Sequence, residues 1–227
     1  MDRVKTGIIG LDKMFNGGIP KKRHVTLYGG PGTGKSTFAF EYIYNGAKNK
    51  EPGLYISLEE TPDEIIENMR TTFPMFDDVE KLIKSGKMEI VKPDKIGLEG
   101  VAELLEDRIV NKKVTRVVID SLTMMKVTSK DIIEYRQILF EFLSLLRNLD
   151  CTAITTLEAG KSQKEVEYEI EHFIMDGIIN LYNLDRGDTR IRALEIFKMR
   201  GTNHSRDLVP FKVTPSGIKV YAGEKVF

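Results

Sequence analysis

The sequence holds a single cysteine, Cys151, among 227 residues. One thiol excludes an intrachain disulfide and any metal site built from several cysteines, and it fits a reducing compartment. Histidine is scarce too. His24, His172 and His204 lie far apart with no pair at helical spacing, which argues against a zinc site. Charge of one sign is missing: 34 Lys and Arg residues meet 34 Asp and Glu residues, unlike a polybasic coat for nucleic acid. Long apolar runs are missing as well. The greasiest stretch, Ile132 to Leu149, is interrupted by Glu134, Arg136, Glu141 and Arg147 and is too charged to span a bilayer. The first residues contain no apolar stretch of signal-peptide length. These absences lead us to expect a cytoplasmic protein with no membrane partner. With no repeat, low-complexity tract or linker, a single domain over residues 1–227 is the expected organisation.

What is present is an alternation of two hydrophobic periods. Short runs rich in Val, Ile and Thr read as buried strands at His24–Tyr28, Gly53–Leu58, Met88–Val91, Arg116–Asp120 and Cys151–Thr156. Between them, Lys35–Lys48, Thr61–Arg70, Leu98–Asn111 and Asp131–Leu149 have helical spacing. In the last of these, Ile132, Tyr135, Leu139, Phe142, Leu146 and Leu149 are expected to line one face. Such alternation predicts an α/β fold, a mostly parallel sheet flanked by helices. After about residue 177 the pattern becomes helix-poor. Ile178–Leu184, Ile191–Met199, Val209–Val213 and Ile218–Tyr221 are joined by turn-forming segments and predict an antiparallel extension at the sheet edge.

The strongest local signal is Gly29-Gly30-Pro31-Gly32-Thr33-Gly34-Lys35-Ser36, which matches G-x-x-x-x-G-K-[ST] between a strand and a helix. Glycines let backbone N–H groups turn around an anion, and the helix start adds its positive dipole end. Residues Gly30, Pro31, Gly32, Thr33, Gly34, Lys35, Ser36 and Thr37 are therefore the candidate ATP-binding set. Lys35 is suited to the β- and γ-phosphates, and the Ser36 hydroxyl to Mg²⁺.

Two acidic sites accompany the loop. Asp120 ends a buried strand, where a carboxylate emerges beside a phosphate loop, and it is the second candidate Mg²⁺ residue. Glu59 and Glu60 follow another strand end, where adjacent like charges are unfavourable without a role. A carboxylate there suits a water aligned on the γ-phosphate. Thr61-Pro62-Asp63-Glu64 then reads as a capping box, so the glutamates also fit as mere decoration of a helix start.

With these residues assembled, the chain resembles the KaiC-like branch of the RecA-type P-loop ATPase superfamily, in its single-domain archaeal form. The resemblance rests on the phosphate loop, on Thr6-Gly7-Ile8, Leu11-Asp12 and Gly17-Gly18-Ile19-Pro20 at the entry, and on Glu59-Glu60-Thr61-Pro62. It extends to Lys198-Met199-Arg200-Gly201-Thr202-Asn203-His204 and to the hairpin around Ile218. It implies a RecA-like fold and a Mg²⁺-dependent ATPase of low turnover, assembled as a homo-hexamer with ATP or ADP between neighbours. Glu59 and Glu60 are then the catalytic pair, and Lys198 and Arg200 reach the next subunit's γ-phosphate. Thr156, at the end of its strand, falls where such proteins carry a γ-phosphate sensor. The circadian-clock protein of this group has two copies of the domain and phosphorylatable residues near its late strands. This chain has one copy, and no Ser or Thr occurs from Lys164 to Asp188.

Strand alternation predicts that Leu194, Ile196, Lys198 and Arg200 share one face, with Ala193, Glu195, Phe197 and Met199 on the other. Arg186, Arg190, Arg192, Lys198, Arg200 and Arg206 face only Asp188 and Glu195 in charge, a basic segment suited to an inter-subunit phosphate contact, weak nucleic-acid binding or a solvated edge. His204 fits either a role near phosphate or a surface turn, and Arg70 either adenine stacking or a helix C-terminal cation. Two alternatives remain at this level. One is a recombinase relative binding nucleic acid through Lys126, Lys130, Lys161 and Lys164; the other is a nucleotide-gated scaffold or autokinase.

Overall fold

The computed structural model describes residues 2–159 and 169–226. An entry hairpin pairs β1 (Arg3–Val4) with β2 (Ile19–Pro20) around the short helix α1 (Leu11–Met14). The Asp12 carboxylate accepts from Thr6 N and Thr6 Oγ1, both at 2.8 Å, and fixes the entry turn. The chain then alternates. Strand β3 (His24–Gly29) leads into α2 (Lys35–Lys48), and β4 (Gly53–Ser57) into α3 (Pro62–Thr72). A 3₁₀ turn and α4 (Val79–Lys84) precede β5 (Met88–Val91), and α5 (Leu98–Lys112) precedes β6 (Arg116–Asp120). Helices α6 (Thr123–Thr128) and α7 (Ile132–Asn148) lead to β7 (Thr152–Glu158). The last section holds α8 (Ile170–Ile174), β8 (Gly177–Arg186), β9 (Thr189–Met199), β10 (Val209–Thr214) and β11 (Gly217–Val220).

Nine strands form one sheet in the order β11-β10-β9-β8-β3-β7-β6-β4-β5. The pairs from β8 to β5 are parallel, and those from β8 outward to β11 are antiparallel. The expected fold is therefore present, with one refinement: β8 belongs to both parts, parallel to β3 and antiparallel to β9. Alternating side chains divide the core in two. Tyr55 and Val118 pack on the side of α2, α3 and α4, while Leu54, Ile56, Val117 and Ile119 pack on the side of α5, α6 and α7.

Local rules fix several boundaries. Thr61 and Glu64 form the expected capping box, with Thr61 N donating to the Glu64 carboxylate at 2.8 Å and Pro62 opening α3. Asp131 caps α7 by accepting from Ile133 N and Glu134 N. Tyr135, Leu139, Phe142 and Leu146 line the buried face of α7 as expected, but Ile132, the first residue of the helix, is 59% exposed. The predicted faces of β9 need correction. Ile179 pairs with Ile196 but Ile178 pairs with Lys198, so Phe197 is an extra residue in a bulge. The alternation inverts there: Met199 joins Leu194 and Ile196, and Phe197 packs on the opposite side. Arg200 lies one residue beyond the strand. Among the described residues, no helix is long and apolar enough to cross a membrane.

Candidate nucleotide site

The loop between β3 and α2 is shaped by its own backbone. Gly32 has φ +71° and Gly34, which caps α2, has φ +95°, conformations that side chains disfavour. A Cβ placed on Gly30 or Gly32 meets nothing within 4 Å, so the loop borders open space. Thr33 is buried, and its hydroxyl donates to Gly30 O at 2.8 Å, bracing the loop from behind. Gly34 offers no side chain to cap the first turn of α2, which leaves the amides of that turn for a ligand. Lys35 Nζ donates to Gly29 O at 2.9 Å and Gly30 O at 3.0 Å. Burial pulls its pKa below the ordinary lysine value, against the pull of Glu158, Asp120 and Glu59.

A cleft of about 330 Å³ opens at this loop. Pro31, Gly32, Gly34, Lys35, Ser36 and Thr37 form one wall, and Glu59, Asp120, Ser121 and Glu158 the other. It lies beyond the carboxyl ends of the parallel strands, where the chain leaves β3 for β4 across two intervening strands. Asp120 is held at both oxygens. Tyr55 Oη, from β4, donates to Oδ2 at 2.5 Å, and Thr156 Oγ1, from β7, donates to Oδ1. Burial and the neighbouring Asp120 raise the Tyr55 pKa well above its usual value, so this phenol stays a donor.

The two adjacent glutamates part company. Glu59 borders the cleft and accepts from Ser121 Oγ at 2.6 Å. The Glu60 carboxylate turns to Asn68 Nδ2 on α3, at 3.3 Å, and lies outside the cleft lining. Thr156 is fully buried and engaged with Asp120 rather than facing the cleft.

Lys198 and Arg200 are remote from this cleft. Met199 pairs with Gly177, and Gly177 with Val25 near the start of β3. Four strand steps separate Val25 from Gly29, roughly 13 Å. The two cations meet instead at the end of α8, brought there by the bulge and the turn beyond β9 and not by strand alternation. Lys198 Nζ donates to His172 O at 2.9 Å, and Arg200 Nη2 to Phe173 O at 2.8 Å. His204 Nδ1 contacts Ser205 O at 2.8 Å within its own turn, and Arg70 pairs with Glu80. Lys126 pairs with Glu169, while Lys130 lies 3.9 Å from Glu134 within its own helix start. Lys161 and Lys164 fall outside the described residues.

Three residues of the site are additions. Ser121 and Glu158 border the cleft, and Arg192 donates through Nε and Nη2 to Gly32 O at 3.3 and 3.2 Å. The basic run from Arg186 was the only sequence signal for Arg192.

A strand, a glycine-rich phosphate loop, a helix and an acid on a neighbouring strand together define a P-loop nucleotide-binding protein of the RecA type. The family model for the KaiC ATPase matches residues 4–225, and the chain belongs to that family. A UPF0273 protein of Thermotoga maritima is 36% identical over 98% of this chain and 97% of its own length. The circadian clock oscillator protein KaiC of Synechococcus elongatus is 33% identical over 96% of this chain, which spans 44% of that protein. A crystal structure of a KaiC-like protein from Pyrococcus horikoshii superposes with a TM-score of 0.85 at 35% identity, over 97% of this chain and 99% of that one.

Proposed function

We propose that this chain binds and hydrolyses ATP as a homo-hexameric ring, each nucleotide lying between two copies. The observation that carries the reading is the meeting of Lys35, Ser36, Glu59 and Asp120 in one cleft. The loop amides and Lys35 hold the phosphates. A hydroxyl and a carboxylate are hard oxygen donors that fit Mg²⁺, so Ser36 and Asp120 are the residues to hold it. Bound there, Mg²⁺ supplies positive charge against the β- and γ-phosphates. Asp120 is oriented in advance by Tyr55 and Thr156. Glu59 polarises the attacking water, its carboxylate steadied by Ser121. Glu60, just ahead of α3 and turned toward Asn68 of that helix, adds its charge beside Glu59. Lys198 and Arg200 serve the neighbouring copy's site, because their own loop is at the other end of the sheet. There they offset charge growing on the γ-phosphate.

The test mixes Lys35→Ala subunits with Arg200→Ala subunits, each inactive alone. Mixed rings contain interfaces joining an intact loop to an intact Arg200, so part of the ATPase activity returns. No return in verified mixed oligomers, or full activity of Arg200→Ala alone, overturns the shared site.

A further inference from the structure

The two late cations rest on α8, and α8 is gripped from the other side by the strand that carries the phosphate loop. At its C-terminal end, His172 O and Phe173 O belong to the last carbonyls of the helix, which helix geometry leaves for donors from outside. Lys198 Nζ donates to both, at 2.9 and 3.3 Å, and Arg200 Nη2 donates to Phe173 O. Just beyond, Arg200 N donates to Asp176 O at 2.8 Å. The guanidinium lies 3.6 Å from the buried Asp176 carboxylate, shared with Arg147 at 3.3 Å and Arg23 at 3.8 Å. Two cations on one carbonyl repel, and the lowered pKa of Lys198 follows from burial first and Arg200 second. Their placement therefore depends on α8 staying where it is.

The position of α8 is set at its N-terminal end. The Glu169 carboxylate accepts from Tyr28 Oη at 2.8 Å and pairs with Lys126 of α6. Tyr28 directly precedes Gly29, the first residue of the phosphate loop and an acceptor for Lys35. One turn further along α8, the His172 ring packs edge-on between Tyr28, at 4.9 Å, and Phe197 of the β9 bulge, at 5.4 Å. Tyr135 Oη donates to the buried Glu171 at 2.6 Å and ties the same helix to α7. The small helix thus touches the loop strand with one end and seats both cations with the other.

We infer that Glu169 is a positioning residue. Through Tyr28 and Lys126 it anchors α8, and so sets how Lys198 and Arg200 of its own chain are presented to a neighbouring nucleotide site. This rests on the shared site proposed above and goes further: it names the element that aims the cations and links their aim to the phosphate-loop strand of the chain that donates them. Glu169 touches neither Lys198 nor Arg200 and lies outside the cleft lining, so its effect follows the donor of Arg200 and not the copy that holds the ATP.

The experiment uses the same mixed rings. Glu169→Gln is placed either in the Lys35→Ala parent, which donates Arg200, or in the Arg200→Ala parent, which holds the live loop. A misplacement of about 1 Å in a charge-stabilising group commonly lowers rate by up to about 100-fold. In the donor parent the restored kcat is expected to fall about tenfold or more, with KM for ATP within about twofold. In the loop-holding parent it stays within about twofold of the parental mixture. Glu169→Gln removes the charge that holds Lys126, while Tyr28→Phe removes the Tyr28–Glu169 hydrogen bond by loss of one oxygen and gives the same placement dependence if Glu169→Gln does not fold. A loss that follows the loop-holding parent, or is equal in both, overturns the inference while leaving the shared site standing. If the parental mixture restores nothing, the shared site falls and this inference with it.

Discussion

At the carboxyl ends of the parallel strands, Glu59, Asp120 and Glu158 surround Lys35. At the opposite end of the sheet the Asp176 carboxylate sits among Arg23, Arg147 and Arg200, with Lys198 close by. The chain is neutral in total, yet acids exceed bases in the first group and bases exceed acids in the second. An anionic nucleotide at the first end adds more negative charge than Lys35 and Arg192 offset, whereas the second end has cations in excess. Neutrality as a sum therefore conceals a polarity that suits copies meeting end against end. A zero net charge excludes a uniformly basic surface but not a functional division of charge.

The comparison can be broken most severely at Arg200. In the proposed ring, Arg200→Ala lowers kcat by about 10³-fold or more while ATP affinity changes little. Steady-state kinetics with calorimetric binding checks this, and a variant at wild-type rate removes the functional contrast between the ends. Lys35→Ala strikes the other end. Among the described residues it deletes the only cationic side chain lining the cleft, and it is expected to weaken ATP binding by about 100-fold or more, read by isothermal titration. Glu59→Gln keeps binding and slows turnover by about 10²–10⁴-fold. Glu60→Gln loses less than about tenfold, since its carboxylate faces Asn68. Equal losses in the two amide variants would place the water-polarising role on the pair instead of on Glu59.

The smallest effects are in stability, and there the two regions respond to pH in opposite directions. Burial raises Glu41, on the phosphate-loop helix, to about 7, although its carboxylate accepts from Ile218 N at 2.7 Å. A raised acid favours the fold while protonated, so its contribution is present below about pH 4.5 and is lost as pH rises toward 7. Burial lowers His24, beside Asp176, to about 4, and neither ring nitrogen has a hydrogen-bond partner among the described residues. A lowered histidine favours the fold while neutral, so its contribution is present above about 6.5 and is lost as pH falls toward 4. Thermal melts of Glu41→Gln should gain on the wild type as pH rises from 4.5 to 7, by on the order of 5 °C. His24→Gln should lose less on acidification from pH 6.5 to 4 than the wild type does. Melting differences that do not change with pH would discard this pairing.

The phosphate loop, the strands that frame it and the capping box at Thr61 were legible because each follows from neighbours in sequence. Asp120 was legible because a carboxylate at the C-terminal end of a buried strand emerges beside the phosphate loop in a sheet of this kind. The bulge at Phe197 was not, since period-two alternation carries no mark of a register shift that only the partner strand defines. Helices α1, α4, α6 and α8 span four to six residues, too short to display a period. The contact of Arg192 with Gly32 joins residues 160 apart, and the clamp on Asp120 joins three strands. Such pairings arise from the sheet order, which no local pattern contains.

That sheet order also bears on when the site comes into being during synthesis. β3 and β6 are not neighbours; β7 lies between them. The phosphate loop and Asp120 both leave the ribosome before β7, yet their native spacing exists only after β7 has inserted and Thr156 has met Asp120. A nascent chain that ends before Thr152 has the loop and the acid without the strand that spaces them. Insertion of a late central strand therefore makes the cleft itself a product of late folding: the loop and the acid are made early, and their spacing is set last.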